Sequence, residues 1–340
     1  MKLDPIFLLA GDAAVYWYGI TVALAVAAGI GVACYVRKVQ GKNINHVLLA
    51  SLVSMPLALL GGRMYFSQFG ASNFTSEVQA KTLAYGGFAL YGALIGVLIA
   101  VIFTALFVKC SVGELLDAMA PGLAATIAIG RWGSLFSGEN MGPIVSNESM
   151  QTLPFAVWSA DEGVWRTALF FYESLVAAAI CAGLVWLIRY SLKNNRFHHT
   201  NGDAFFLFVI FYSLIQGLFE DKRCDPLFFV NNYVAKLQTV RVSFALGALF
   251  AALALAILLL RRMIREGIKL ASIAFCIACA VLYTGYFSEV LRISTSSTSI
   301  NTVIVAVSAI GLLGVGVWNY IAMSTKIPPR RKKARGRNAY

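Results

Sequence analysis

Charge is scarce in this chain, and histidine scarcer. Lys, Arg, Asp and Glu together make up 13% of its 340 residues, and only three histidines occur. A soluble domain of this length needs roughly twice that charge to cover its surface, so a water-soluble globule is excluded. No His or Cys cluster has metal-ligand spacing and no nucleotide-binding glycine loop is present, so no cofactor is implied. Five of the six cysteines, Cys34, Cys110, Cys181, Cys276 and Cys279, lie in or beside apolar blocks, and Cys224 falls in a polar loop. That distribution implies no disulfide framework. Cys276 and Cys279 have CxxC spacing, but without a basic neighbour they read as small packing residues. No internal repeat is visible, which counts against a secondary transporter.

Apolar residues are abundant instead, at 59%. They arrive in blocks long enough to cross about 30 Å of hydrocarbon, which takes roughly 20 helical residues. The blocks cover residues 13–36, 47–69, 88–108, 115–129, 168–187, 204–219, 243–260, 270–291 and 300–323. The expected fold is all-α, a polytopic transmembrane helix bundle of about nine spans with polar external loops. The blocks at 115–129 and 204–219 are short or carry polar residues, so they are either tucked among other helices or re-entrant. Segments 70–87 and 138–167, rich in Ser, Asn, Thr and Gly, are expected to form an external lid or head.

Basic residues collect in cytoplasmic loops. With the amino terminus outside, the inside segments hold eighteen of the 28 basic residues, seven of them in the tail from Lys326 to Arg337. This orients the carboxyl terminus to the cytoplasm. It also accounts for the net charge of +12 without nucleic acid, since a basic tail beside a last span touches anionic lipid. Residues 1–12 offer no cleavable signal peptide. The organisation expected is a transmembrane domain over 1–265, two additional helices over 266–323 and a basic tail over 324–340.

Charged or strongly polar groups in or beside spans are costly and become functional candidates. Trp17-Tyr18-Gly19 opens the first span, as an interfacial aromatic belt or as a head-group contact. Arg63, near the end of the second span, snorkels or meets a lipid phosphate. In the segment 130–142, Arg131 directly follows a span, and Ser134, Ser137, Glu139 and Asn140 supply hydrogen-bonding groups. A guanidinium fork there fits a phosphate bidentately, and an Arg131–Glu139 pair that pins a loop is the structural alternative. Tyr212, Gln216 and Glu220 recur every four residues and share a helix face, with Arg223 one turn on. Such a stripe marks the bundle interior or a substrate cavity.

Together these segments resemble the prolipoprotein diacylglyceryl transferase family. The similarity runs in order through Trp17-Tyr18-Gly19, Gly62-Arg63, Tyr91-Gly92-Ala93-Leu94-Ile95-Gly96, the 130–142 signature, Phe171-Tyr172-Glu173 and residues 212–223, covering about 5–262. The chain departs from the family pattern at several positions. Ser134 and Ser137 stand where the signature has asparagines, Tyr91-Gly92-Ala93 where the family has His-Gly-Gly, and Gln216 where it has an arginine. Its His-Pro-x-Gln-Leu-Tyr-Glu element survives only as Tyr172-Glu173.

The resemblance implies a bacterial inner-membrane enzyme moving a diacylglyceryl group from phosphatidylglycerol to the lipobox cysteine of a prolipoprotein. Its partners would be that anionic phospholipid and the prolipoprotein signal peptide. The catalytic residues it implies are Arg131, Glu139, Tyr91 and Glu220, with Tyr18, Arg63, Ser134, Ser137, Tyr212, Gln216 and Arg223 binding substrate. Arg131 and Arg223 would hold phosphate, Glu139 and Glu220 would orient them, and Arg63 or Arg166 would make up missing charge. His46, His198 and His199 fall in expected cytoplasmic loops, so Tyr91, Glu139 or Glu220 must take the thiol proton. The alternatives from other classes are a non-catalytic or substrate-altered paralogue that binds lipid or precursor, and a small transporter or scaffold.

Overall fold

A computed structural model describes residues 6–10, 13–70, 87–160, 162–194, 202–220, 222–225, 227, 241–267, 273–274, 277–284, 307–314 and 317. Two short strands, β1 (Ile6–Ala10) and β2 (Ala13–Tyr16), pair antiparallel and lead into α1 (Trp17–Val39). The first span therefore begins at Trp17 rather than at residue 13. A short apolar run satisfies strand and helix patterns equally, and here residues 13–16 pair with the preceding strand.

The bundle continues through α2 (Asn45–Phe69), α3 (Leu90–Phe107) and α4 (Val112–Gly130). A 3-10 turn, Arg131–Gly133, carries α4 directly into the single turn of α5 (Ser134–Ser137). The polar segment that follows holds a hairpin of β3 (Ala156–Ser159) and β4 (Val164–Thr167). The bundle closes with α6 (Leu169–Asn194), α7 (Asp203–Glu220) and α8 (Val242–Glu266). Among the described residues, seven helices are long and apolar enough to cross a membrane. Of the two further blocks, 277–284 and 307–314 are helical, and Ala309 and Leu312 share a core with Phe244, Ala248 and Leu255 of α8. The rest of those blocks, the tail and most of 70–87 lie outside the described residues.

The block at 115–129 belongs to a helix of 26 residues from Val112 to Ser137, the one most enclosed by protein. It is tucked into the bundle, and so is α7. Close approach of backbones builds this centre. Ala25, Gly29 and Ala33 repeat every four residues on α1, and a Cβ on Gly29 would strike Thr126 and the Gly122 carbonyl of α4. In lipid, where association rests on packing, such small-residue seams let helices touch.

Polar residues that obscured α4 in sequence find partners at one end of the bundle. Glu114 meets Lys42 at 3.3 Å and the buried Arg37 at 3.8 Å. Asp117, buried, accepts hydrogen bonds from the amides of Gly202 at 2.7 Å and Phe205 at 3.0 Å, which caps the start of α7. Asp117→Ala is expected to cost about 2 kcal/mol, read as a lower unfolding midpoint in detergent micelles. An unchanged midpoint would show that this cap contributes nothing.

Candidate active site

The opposite end of α4 carries Arg131, and two helices, α6 and α7, converge on it. The side chains of Glu173, in the first turns of α6, and of Tyr212 and Gln216 on α7 are buried. The Arg131 Nε lies 2.7 Å from Glu173 Oε2, and its Nη2 donates to the Tyr212 hydroxyl at 3.3 Å. Glu173 is the hub of this cluster. It also accepts from Asn140 Nδ2 at 2.7 Å on Oε2 and from Gln216 Nε2 at 3.2 Å on Oε1. A buried carboxylate with a cation and two amide donors has its charge and lone pairs satisfied.

Two residues with positive φ set this up. Gly138 (φ 75) ends α5, and Asn140 (φ 55) follows two residues on. The resulting turn buries Asn140 and leaves Glu139 exposed. The ion pair with Arg131 therefore comes from Glu173, which corrects the expectation that Glu139 orients this arginine. A second lock fixes the same turn: Trp132 Nε1 donates to Ser174 Oγ at 3.0 Å, and Ser174 donates to the Ala128 carbonyl at 2.6 Å.

Beyond α7, Arg223 Nη1 meets the buried Glu220 at 3.4 Å, while its Nε and Nη2 donate to Asp225 at 3.1 and 2.9 Å. Burial works against the charge on Arg223, but Glu220 and Asp225 outweigh it and hold the guanidinium above its ordinary value. Burial likewise opposes charge on Asp225, and the Arg223 hydrogen bonds and charge bring that carboxyl below its usual range. A carboxyl depressed by folding stabilises above its unfolded pKa, and the benefit is lost only as pH falls through the lowered value. This pair is intact at neutral pH.

The remaining expected residues divide. Ser134 is buried and Ser137 exposed. Tyr18 packs on Gly133, where an added Cβ would stand 2.9 Å from its ring, and Trp17 stacks on Phe136. Arg63, buried, donates to the Gly87 carbonyl at 3.0 Å. Tyr91 packs in a separate cluster with Tyr65, Ala89 and Val242 and stacks on Phe250. That cluster adjoins the first through Arg241, which donates to the Glu220 carbonyl just before Val242. Of the histidines, His46 lies at the start of α2, and His198 and His199 lie outside the described residues.

A family model described as prolipoprotein diacylglyceryl transferase matches residues 5–260. The chain belongs to this family. Curated relatives agree. The phosphatidylglycerol–prolipoprotein diacylglyceryl transferase of Clostridium kluyveri is 31% identical over 238 residues, 69% of this chain and 91% of the relative. The protein of the same name from Clostridium botulinum strain Langeland is 28% identical over 241 residues, 70% of this chain and 92% of the relative. This family member is thus a multi-pass membrane protein of a transferase family, and the matched region ends within α8. Asp225 joins the site beyond the residues singled out in sequence, and Asn140 and Glu173, noted there only as a hydrogen-bonding group and as part of a family motif, take central places in it. The signal for Glu173 was its position, a lone carboxylate in an otherwise apolar block inside a family motif.

Chemically, the Arg131 cluster is a fixed cation among buried polar side chains of the bundle. Its Nε and Nη2 are engaged, and Nη1 has no hydrogen-bond partner among the described residues. A positioned guanidinium with a spare donor suits an anionic oxygen.

Proposed function

We propose that the chain transfers the diacylglyceryl group of phosphatidylglycerol to the lipobox cysteine thiol of a prolipoprotein. The observation that carries the reading is the Arg131 guanidinium, held by Glu173 and Tyr212 with Nη1 left for a phosphate oxygen. In the reaction the acceptor sulfur attacks the glyceryl carbon bonded to phosphate oxygen, that C–O bond breaks, and glycerol phosphate departs with the electron pair. Arg131 stabilises the charge gathering on the leaving phosphate, and Arg223 holds it from the far side. Tyr18, Ser134, Ser137, Tyr212 and Gln216 bind the head group, and Arg63 and Arg166 add positive charge at its edge. Glu139, exposed, or Glu220 takes the thiol proton, with Tyr91 as the remaining candidate. A tyrosine hydroxyl carries its own proton at neutral pH, so it is the least available of these as a proton acceptor.

In this reading the protein sits in a bacterial inner membrane with its amino terminus outside and the tail 324–340 in the cytoplasm. Residues 1–265 form the transferase domain, and 266–323 add two helices to it. A second reading, lipid or precursor binding without turnover, is favoured by the separation of Tyr91 from the Arg131 cluster and by the absence of a histidine among the described residues near it.

The test is complementation: a bacterial host depleted of its resident transferase receives this chain, and a reporter prolipoprotein is followed by mass. A gain of one diacylglyceryl group is expected, reduced about a thousandfold in rate by Arg131→Ala. No gain from well-inserted protein would transfer the case to binding alone.

A further inference from the structure

Asp225 takes the Arg223 fork side on. Nε donates to Oδ1 at 3.1 Å and Nη2 to Oδ2 at 2.9 Å, two bonds from one guanidinium edge to the two oxygens of one anion. This is also how an arginine grips two oxygens of a phosphate. The Asp225 side chain is 37% exposed and that of Arg223 18%, so an incoming anion can reach and compete for the edge. The third guanidinium nitrogen, Nη1, faces Glu220 at 3.4 Å, so no further edge of Arg223 is offered.

Asp225 does something else as well. Its Oδ2 accepts from the Asn140 amide at 3.2 Å, and the neighbouring Cys224 amide donates to the Met141 carbonyl at 3.0 Å. Segment 223–225 is thereby strapped onto the 140–141 turn, and Asn140 in turn holds Glu173, the partner of Arg131. One carboxylate joins the two arginine centres.

We propose that Asp225 is a built-in surrogate for the ligand phosphate: it fills the Arg223 edge in the empty site and is displaced when a phosphate binds, releasing the strap from Asn140. The inference rests on the proposed function for the nature of the ligand. It adds that Asp225 is a positioning residue that lowers affinity for phosphate and couples phosphate binding to the turn carrying Glu139 and Asn140. Two sources offer the required chemistry, the phosphodiester of the lipid substrate and the phosphate monoester of the released glycerol phosphate.

The experiment measures binding of both probes to the full-length protein in lipid nanodiscs, phosphatidylglycerol by titration of its mole fraction and glycerol phosphate by titration from solution. Asp225→Asn keeps the size and an oxygen for the Asn140 amide but removes the charge. It is expected to tighten binding of at least one probe about fivefold and to lower KM more than it changes kcat, while Asp225→Glu restores the wild-type affinity. Tightening confined to phosphatidylglycerol assigns the displacement to substrate entry; tightening confined to glycerol phosphate assigns it to the product stage. A purely structural strap predicts the reverse, a weaker site in a less stable protein.

Wild-type protein supplies an independent readout, because hydrogen exchange at the Asn140 amide is expected to speed up when the effective probe is added. Wild-type binding that depends on Arg131, with neither a tighter Asp225→Asn nor faster exchange at Asn140, overturns the surrogate and leaves the proposed function standing. If neither probe binds the wild-type protein, both the surrogate and the proposed function are overturned.

Discussion

Glu173→Ala is expected to be the most damaging single substitution in the site, lost to folding as well as to function. The residue is 3% exposed, and removal of its side chain strands Arg131, Asn140 and Gln216 at once. Breaking a buried ion pair from one side costs about 3–5 kcal/mol, because the remaining charge stays buried without compensation. The two amides add a smaller and not simply additive term. A marginally stable protein loses much of its stability margin at that cost. The expected result is a sharply lower unfolding midpoint and little inserted protein.

Glu173→Gln separates function from folding. It keeps the volume and one oxygen for a neighbouring donor but removes the charge that fixes the guanidinium. Its expected effect is roughly a hundredfold slower transfer with a much smaller loss in midpoint. If Glu173→Gln transferred at the wild-type rate, Arg131 would need no anionic partner and the hub would be only structural.

How far the site could be read from sequence follows from which interactions are local. Arg131 was legible because a guanidinium at the end of an apolar run stands out wherever it pairs. Tyr212, Gln216 and Glu220 were legible because a four-residue period places them on one helix face before any tertiary structure is known. The partner of Arg131 was not. Glu139 lies eight residues on and Glu173 forty-two, and sequence proximity favours the nearer acid. Two left-handed residues decide the matter by turning Asn140 inward and leaving Glu139 exposed. Nothing in the side chains of this segment announces a positive φ at Asn140, although Asn tolerates it better than most residues.

The helices followed the same logic. Long uniform blocks gave α1 to α3, α6 and α8 within a few residues at most ends. The true length of α4 was hidden because Glu114 and Asp117 read as interruptions. Their partners, Arg37, Lys42 and the start of α7, come from elsewhere in the chain. Residues 13–16 show the converse. Their apolar character fits a span, and only pairing with residues 6–10 makes them a strand.

The contact between α2 and α3 gives the second large expected effect, and it comes from residues with no side chain. A Cβ on Gly92 would run into the carbonyl of Gly61 and stand 2.5 Å from the Cβ of Tyr65, and one on Gly96 would meet the Leu57 carbonyl and the Ala58 amide. These obstacles are mostly backbone, which cannot rotate away, so the helices must separate. Gly92→Ala is expected to lose about 1–3 kcal/mol, and Gly92→Leu more, enough to prevent stable insertion. Gly31→Ala and Gly183→Ala are the controls. Both positions lie in helices with nothing within 4 Å of an added Cβ, and alanine there is expected to be neutral or stabilising by up to about 1 kcal/mol. Unfolding midpoints of the three alanine variants, measured side by side in one detergent, decide the point. Equal midpoints for Gly92→Ala and the controls would mean that the α2 and α3 backbones do not touch. Function is expected to follow the packing, because Arg63 and Tyr91 sit beside this seam. The Gly62 carbonyl accepts the Ala89 amide at 3.1 Å, and Arg63 reaches the Gly87 carbonyl across the same gap. Spreading the pair breaks those links first, so transfer is expected to fail in Gly92→Ala at temperatures where the protein is still folded.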